Sequence, residues 1–139
     1  MPGPTNTQRL QTLRSIPMFA ELSDRSLKRI RALSDEVEVP AGQLLVQPRQ
    51  AGSGLFIIEE GTVLVEPRGQ KIELGPGQFF GEIALLSPHP HTARVRAKTA
   101  LRCLAINRFN FRKLLESEPK IAISMLETMA SRFAGSILH

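Results

Sequence analysis

Apolar positions recur at helical spacing toward both ends of the chain and at strand spacing between them. Leu10, Leu13 and Ile16 share one face of a first helix, which Pro17 stops. Ile16-Pro17-Met18-Phe19 then forms an apolar elbow, and Ser23 is placed to cap a second helix whose Leu27, Ile30 and Leu33 repeat at helical spacing. From Val37 the period changes. Val37 and Val39 alternate with acids, and Leu44-Leu45-Val46, Leu55-Phe56-Ile57-Ile58 and Val63-Leu64-Val65 are short β-branched or aromatic runs. Glycines at 42, 54, 61, 69 and 75 punctuate them at the spacing of strand plus turn. Arg68-Gly69 is expected to close a hairpin from Val63-Leu64-Val65 to Ile72-Glu73-Leu74, and Gly75-Pro76-Gly77 ends the second strand. Arg94 to Lys98 alternates again, and Leu101 to Ile106 is a last strand.

The helical period returns at Asn107, which opens a helix over Arg108–Glu116. Pro119 suits the first turn of another helix, where its missing N–H costs nothing. That helix carries Ala122, Met125, Leu126, Met129, Phe133 and Ile137 as one stripe, expected to pack on its own domain or to form a dimer seam. The pattern is therefore all-β in the middle, between helical ends.

At 139 residues the chain is the size of one domain, with residues 1–36 helical, 37–107 the β region and 108–139 the closing helices. The single cysteine, Cys103, permits neither an intramolecular disulfide nor a multi-cysteine metal site and fits a reducing, cytoplasmic setting. No stretch approaches the ~20 apolar residues of a membrane-spanning helix. Lys and Arg number 18 against 13 acids, a net charge of +5. The cluster Arg25, Lys28, Arg29 and Arg31 has no interleaved aromatics and reads as a solvated helix face, not a nucleic-acid surface. No helix-turn-helix pattern follows the last helix, so this chain alone is not expected to read DNA. Catalysis has no visible nucleophile and base, and His89-Pro90-His91 lacks the nearby carboxylate that would make a metal site; neither enzyme activity nor a metal is expected.

Candidate chemistry lies at Phe80-Gly81-Glu82-Ile83-Ala84-Leu85-Leu86. A short helix beginning at a glycine leaves its first N–H groups unpaired at the positive end of its dipole, where an anion is welcome. Glu82 repels phosphate, so its sensible role is to accept a hydrogen bond from a hydroxyl beside it. Phosphate plus hydroxyl points to a nucleotide. Trp and Tyr are absent, so a base would lie on aliphatic side chains, Phe or Arg. The alternative is a capped turn with an exposed glutamate.

This segment, followed by Thr92-Ala93-Arg94-Val95-Arg96-Ala97, resembles the phosphate-binding cassette of cyclic-nucleotide-binding domains, as found in catabolite-activator-type regulators, kinase regulatory subunits and cyclic-nucleotide-gated channels. Ile16 to Phe19 with Leu22, the Gly42 turn, Leu55 to Gly61 and Leu74 to Gly77 extend the resemblance over roughly residues 13–133. It implies a β jelly roll with N-terminal helices, a short cassette helix near 81–86 and two C-terminal helices. It also implies that Gly81 and Ala84 offer backbone donors, that Glu82 takes the ribose 2′-hydroxyl, and that Phe80, Ile83, Thr92 and Ala93 flank the ligand. Phe133, Ser136 and Ile137 fall where a final helix lids the base. The implied function is a regulatory module that binds cAMP or cGMP and moves its C-terminal helix, acting on an effector on another chain or as a homodimer through that helix.

The sequence departs from the family at two places. His91 stands where the family arginine clamps the phosphate. An Arg fork is always charged and bidentate, whereas imidazole titrates near pH ~6.5 and offers one bond, a loss of roughly 1.5 to 3 kcal/mol or about ten- to a hundredfold in affinity. Strand alternation puts Ala93, Val95 and Ala97 with His91 toward the lumen and Arg94 toward solvent, away from rescue. Arg49 also replaces a turn glycine. A second reading therefore stands beside the first: a domain of this fold that has lost its ligand and serves as a constitutive interaction or dimerisation module.

Overall fold

The β region folds as two four-stranded antiparallel sheets whose inner faces meet, seen here in a computed structural model that describes residues 6–46, 54–67, 71–86 and 93–138. The strands are β1 (Asp35–Val39), β2 (Leu44–Val46), β3 (Gly54–Glu60), β4 (Val63–Pro67), β5 (Ile72–Leu74), β6 (Phe79–Phe80), β7 (Ala93–Ala97) and β8 (Leu101–Asn107). One sheet has the order β1-β8-β3-β6, the other β2-β7-β4-β5. Among the described residues only chain neighbours β4 and β5 pair as a simple hairpin, with Val63 opposite Leu74 and Val65 opposite Ile72, the two strands expected to pair. The Arg68-Gly69 turn itself lies outside the described residues. The other pairings join strands distant in sequence, which is the jelly-roll arrangement.

Helices bracket this sandwich. They are α1 (Asn6–Arg14), α2 (Asp24–Leu33), α3 (Glu82–Leu86), α4 (Arg108–Ser117) and α5 (Pro119–Leu138), with a 3-10 turn at Pro17–Phe19. Ser23 caps α2 by accepting from the Ser26 N–H at 3.1 Å, and Asn107 caps α4 by accepting from the Asn110 N–H at 2.8 Å. Asn110 in turn donates to the Leu33 carbonyl, satisfying the far end of α2 and tying the two helical segments together. The β region begins at Asp35, slightly ahead of the expected Val37, because β1 pairs with β8 from Asp35 opposite Ala105 onward.

The β1-β8-β3-β6 sheet is apolar on both faces, and each face has its own core. Leu55, Ile57, Phe79, Leu104 and Ile106 point to the helices and pack with Leu13, Ile16, Phe19, Leu27, Ile30, Phe111, Leu114, Ile121 and Met125. Val39, Ile58, Phe80, Leu101 and Cys103 point inward to Val46, Val63, Leu74, Val95 and Ala97. The C-terminal stripe needs a correction. Met125 is buried at 2% exposure and Met129 packs partly on the core, but Leu126 is 64% exposed and Ile121, outside the predicted stripe, is buried. A spacing of 121, 125 and 129 is the true inner face, since residues four apart stack on one side of a helix. The helix also continues through Gly135, although a glycine inside a helix costs about 1 kcal/mol.

Candidate functional site

The cassette begins where β6 leaves the sheet. Phe79 and Phe80 pair with Ile57 and Phe56 of β3, and the Phe56 and Phe80 rings stack with centroids 5.1 Å apart. Gly81 then takes φ +95°, and a Cβ there would lie 2.5 Å from the Gly54 carbonyl oxygen. Its backbone is thus pressed against β3 in a conformation that side chains disfavour, a structural demand independent of any ligand. The turn hands the chain to α3, whose first residue is Glu82.

Glu82 is not exposed. Only 5% of it is accessible, and its carboxylate is met by a residue the sequence reading did not select. Arg132 of α5 donates from Nη1 to Glu82 Oε1 at 3.1 Å and from Nη2 to the Phe79 carbonyl at 2.8 Å. Its guanidinium lies 4.6 Å from the centre of the Phe79 ring. One side chain of the long helix therefore holds the acid, the backbone just before it and the aromatic face beneath it. Burial pushes the Glu82 carboxyl above its ordinary value, and its own backbone N–H and Arg132 offset that only in part. The sequence signal for Arg132 was present: it follows Met125 and Met129 at seven and three residues, a charge on the inward stripe, where an unpaired cation would be costly.

Of the other predicted site residues, Phe80 is buried in the sandwich core, and Ala93 is half-buried at the start of β7. Val95 and Ala97 face inward and Arg94 is exposed, as the alternation requires, so Arg94 does not take the arginine's place inside. His91, Thr92 and Arg49 lie outside the described residues. Ile83 and Ala84 lie in α3, and Phe133, Ser136 and Ile137 in α5, by backbone alone. No group of three or more metal-ligating side chains occurs among the described residues.

A sequence profile of the cyclic nucleotide-binding domain matches residues 36–118, more than half of the chain and nearly the whole of the β region with its cassette. The chain belongs to the cyclic nucleotide-binding domain family. It is 36% identical over 126 residues to a cyclic nucleotide-gated potassium channel of Rhizobium etli and 37% identical over 123 residues to one of Mesorhizobium japonicum. These matches cover 90% and 88% of this chain but only 35% and 34% of the channels. The chain thus spans about a third of the length of those relatives. Among solved structures, the catabolite activator protein of Thermus thermophilus shares the fold at a TM-score of 0.77 and 24% identity, over 88% of this chain and 60% of that one.

A regulatory subunit of a cAMP-independent protein kinase A from Trypanosoma brucei is similar at a TM-score of 0.78 and 27% identity, over 91% of this chain and 46% of that one. A triple mutant of that subunit, one of whose changes introduces an arginine in place of a threonine, is bound to cAMP. Cyclic nucleotide-binding domains are regulatory modules, and the relatives of this one include kinase regulatory subunits and channels. No helix among the described residues is long and apolar enough to cross a membrane.

Proposed function

We propose that this domain binds a cyclic nucleoside monophosphate, cAMP or cGMP, at the cassette and converts occupancy into movement of α5. The observation that carries this reading is the contact of Arg132 with Glu82. In the family pattern Glu82 is the acceptor for the ribose 2′-hydroxyl, with Gly81, Ala84, Thr92 and Ala93 around the phosphate. Here the same carboxylate is a holding point for the C-terminal helix. A ribose hydroxyl arriving at Glu82 must share or displace a hydrogen bond that fixes α5, so ligand and helix compete or cooperate for one acceptor. Phe133, Ser136 and Ile137, further along α5, are the positions from which a lid would reach the base.

A second reading has its own support. His91 in place of the clamping arginine weakens the phosphate site, and a similar regulatory subunit belongs to a cAMP-independent protein kinase A. On that reading the domain keeps the fold as a ligand-independent interaction or dimerisation module.

Calorimetric titration with cAMP and cGMP, of the natural chain and of His91→Arg, separates the two. Micromolar binding by the natural chain, with faster or slower amide exchange in α5 on saturation, supports a responsive module. Absence of binding by both proteins sinks it. Binding only by His91→Arg favours the second reading for the natural chain.

A further inference from the structure

Among the described residues five large apolar side chains are exposed, and two of them, Leu86 at 50% and Phe109 at 67%, line one groove. A lone exposed leucine or phenylalanine is ordinary, but two that separate elements bring together are not. The groove encloses about 740 Å³ between the last residues of α3 and the length of α4. Leu85, Phe111 and Leu115 also line it, and all three pack on the helix-side core, so its walls are held by the fold whether or not anything fills them. The start of α4 is fixed as well, by the Asn107 cap and by the bond from Asn110 to the Leu33 carbonyl.

The rim is positive. Arg108 and Arg112 line the groove, and Lys113 lies over the Phe109 ring with Nζ 4.5 Å from its centre. Glu116 is the single acid of α4. It approaches Arg112 to 3.8 Å, but both side chains are largely in solvent, and a bridge of that kind is too weak to keep another anion from the arginine.

We propose that this groove is a docking site for an acidic amphipathic segment of a partner protein, whose large apolar side chains enter between Leu86 and Phe109 and whose carboxylates meet Arg108, Arg112 and Lys113. Concavity and charge together select that occupant. The apolar face of a helix fills a groove, whereas a lipid headgroup layer is flat and would leave the depth of this one empty. A second copy of this chain brings a net charge of +5 to a positive rim and is repelled. The lining side chains are not those that the cassette would turn toward a nucleotide, so the docking site stands apart from ligand binding.

The test is fluorescence anisotropy of a labelled synthetic helix of about 16 residues, with leucine and phenylalanine on one face and glutamate on the other, titrated with the natural chain in the absence of nucleotide. Saturable binding with a Kd of about 1–100 µM is expected. It should weaken about tenfold or more in Phe109→Ser, in Arg112→Glu, and when glutamine replaces every glutamate of the peptide. No saturable binding, binding that either variant leaves unchanged, or equal affinity for the glutamine peptide overturns the proposal. Vesicles of phosphatidylserine and phosphatidylcholine and a dilution series of the chain alone complete the test. Vesicle binding or self-association that Phe109→Ser abolishes, without binding of the peptide, gives the face to a membrane or to a second copy and likewise overturns it. Should Phe109→Ser fail to fold, Arg112→Glu decides, because that side chain is largely in solvent and its exchange leaves the fold intact.

Discussion

Arg132 and Glu82 stand fifty residues apart in sequence and 3.1 Å apart in space, and theirs is the contact that joins the cassette to the C-terminal helix. The acid is almost fully buried while the arginine keeps about a third of its side chain in solvent, so the pair is neither a surface bridge nor a fully desolvated one. A double-mutant cycle with Arg132→Gln and Glu82→Gln is expected to give a coupling of about 1–2 kcal/mol in chemical denaturation. Additive effects would mean that the two side chains do not depend on each other.

Gly81→Ala is expected to lose more than about 2 kcal/mol of stability. The new methyl meets the Gly54 carbonyl at 2.5 Å, from a backbone at φ +95°. Urea midpoints measured without any nucleotide check this, because the cost arises from β3 and not from a ligand.

Neighbouring residues of α5 should respond oppositely to truncation. Met125→Ala removes a side chain packed under the helices and costs about 2–4 kcal/mol, whereas Leu126→Ala stays within about 0.5 kcal/mol. A large effect of Leu126→Ala, read in thermal unfolding, would instead place that residue in an interface.

Much of this was legible from residue order, and the failures have physical causes. Alternation located β7, short apolar runs located β3, β4 and β8, of which β3 and β8 enter a core on each face, and Ser23 and Asn107 announced their helices through side chains that cap. Leu126 misled because an apolar residue on a helix can remain outside when the layer beneath is already filled. Glu82 stood out through its family pattern, but its partner Arg132 did not. The pairing spans fifty residues, and only the charge at an inward position hinted at it.

Cys103 offers a check on the inner core. Burial, with some help from Glu59, pushes its thiol up to about 12, and the residue is fully enclosed. Alkylation of the folded protein at pH 8.5 is expected to be at least about a hundredfold slower than that of a free thiol, with urea restoring full reactivity. Because the folded state favours the neutral thiol, the same group lowers stability as pH climbs from 9 toward 12.

His91 gives the ligand hypothesis a pH signature of its own. If its protonated ring contributes to holding the phosphate, affinity for cAMP or cGMP rises from pH 8 to pH 6 through a value near ~6.5. In His91→Arg that rise is expected to vanish, since an arginine is charged throughout. Titrations of both proteins at the two pH values make the comparison, and an unchanged slope in the variant would remove His91 from the site.

The sheet β1-β8-β3-β6 is a party wall. Its two faces belong to separate apolar rooms, one shared with the helices and one enclosed between the sheets, and no buried side chain of either cluster belongs to both. Stripping the helical room leaves the inner one furnished, so separation of the helices from the sheet need not open the core between the sheets. A rearrangement confined to the helices would leave the β frame with a closed interior of its own.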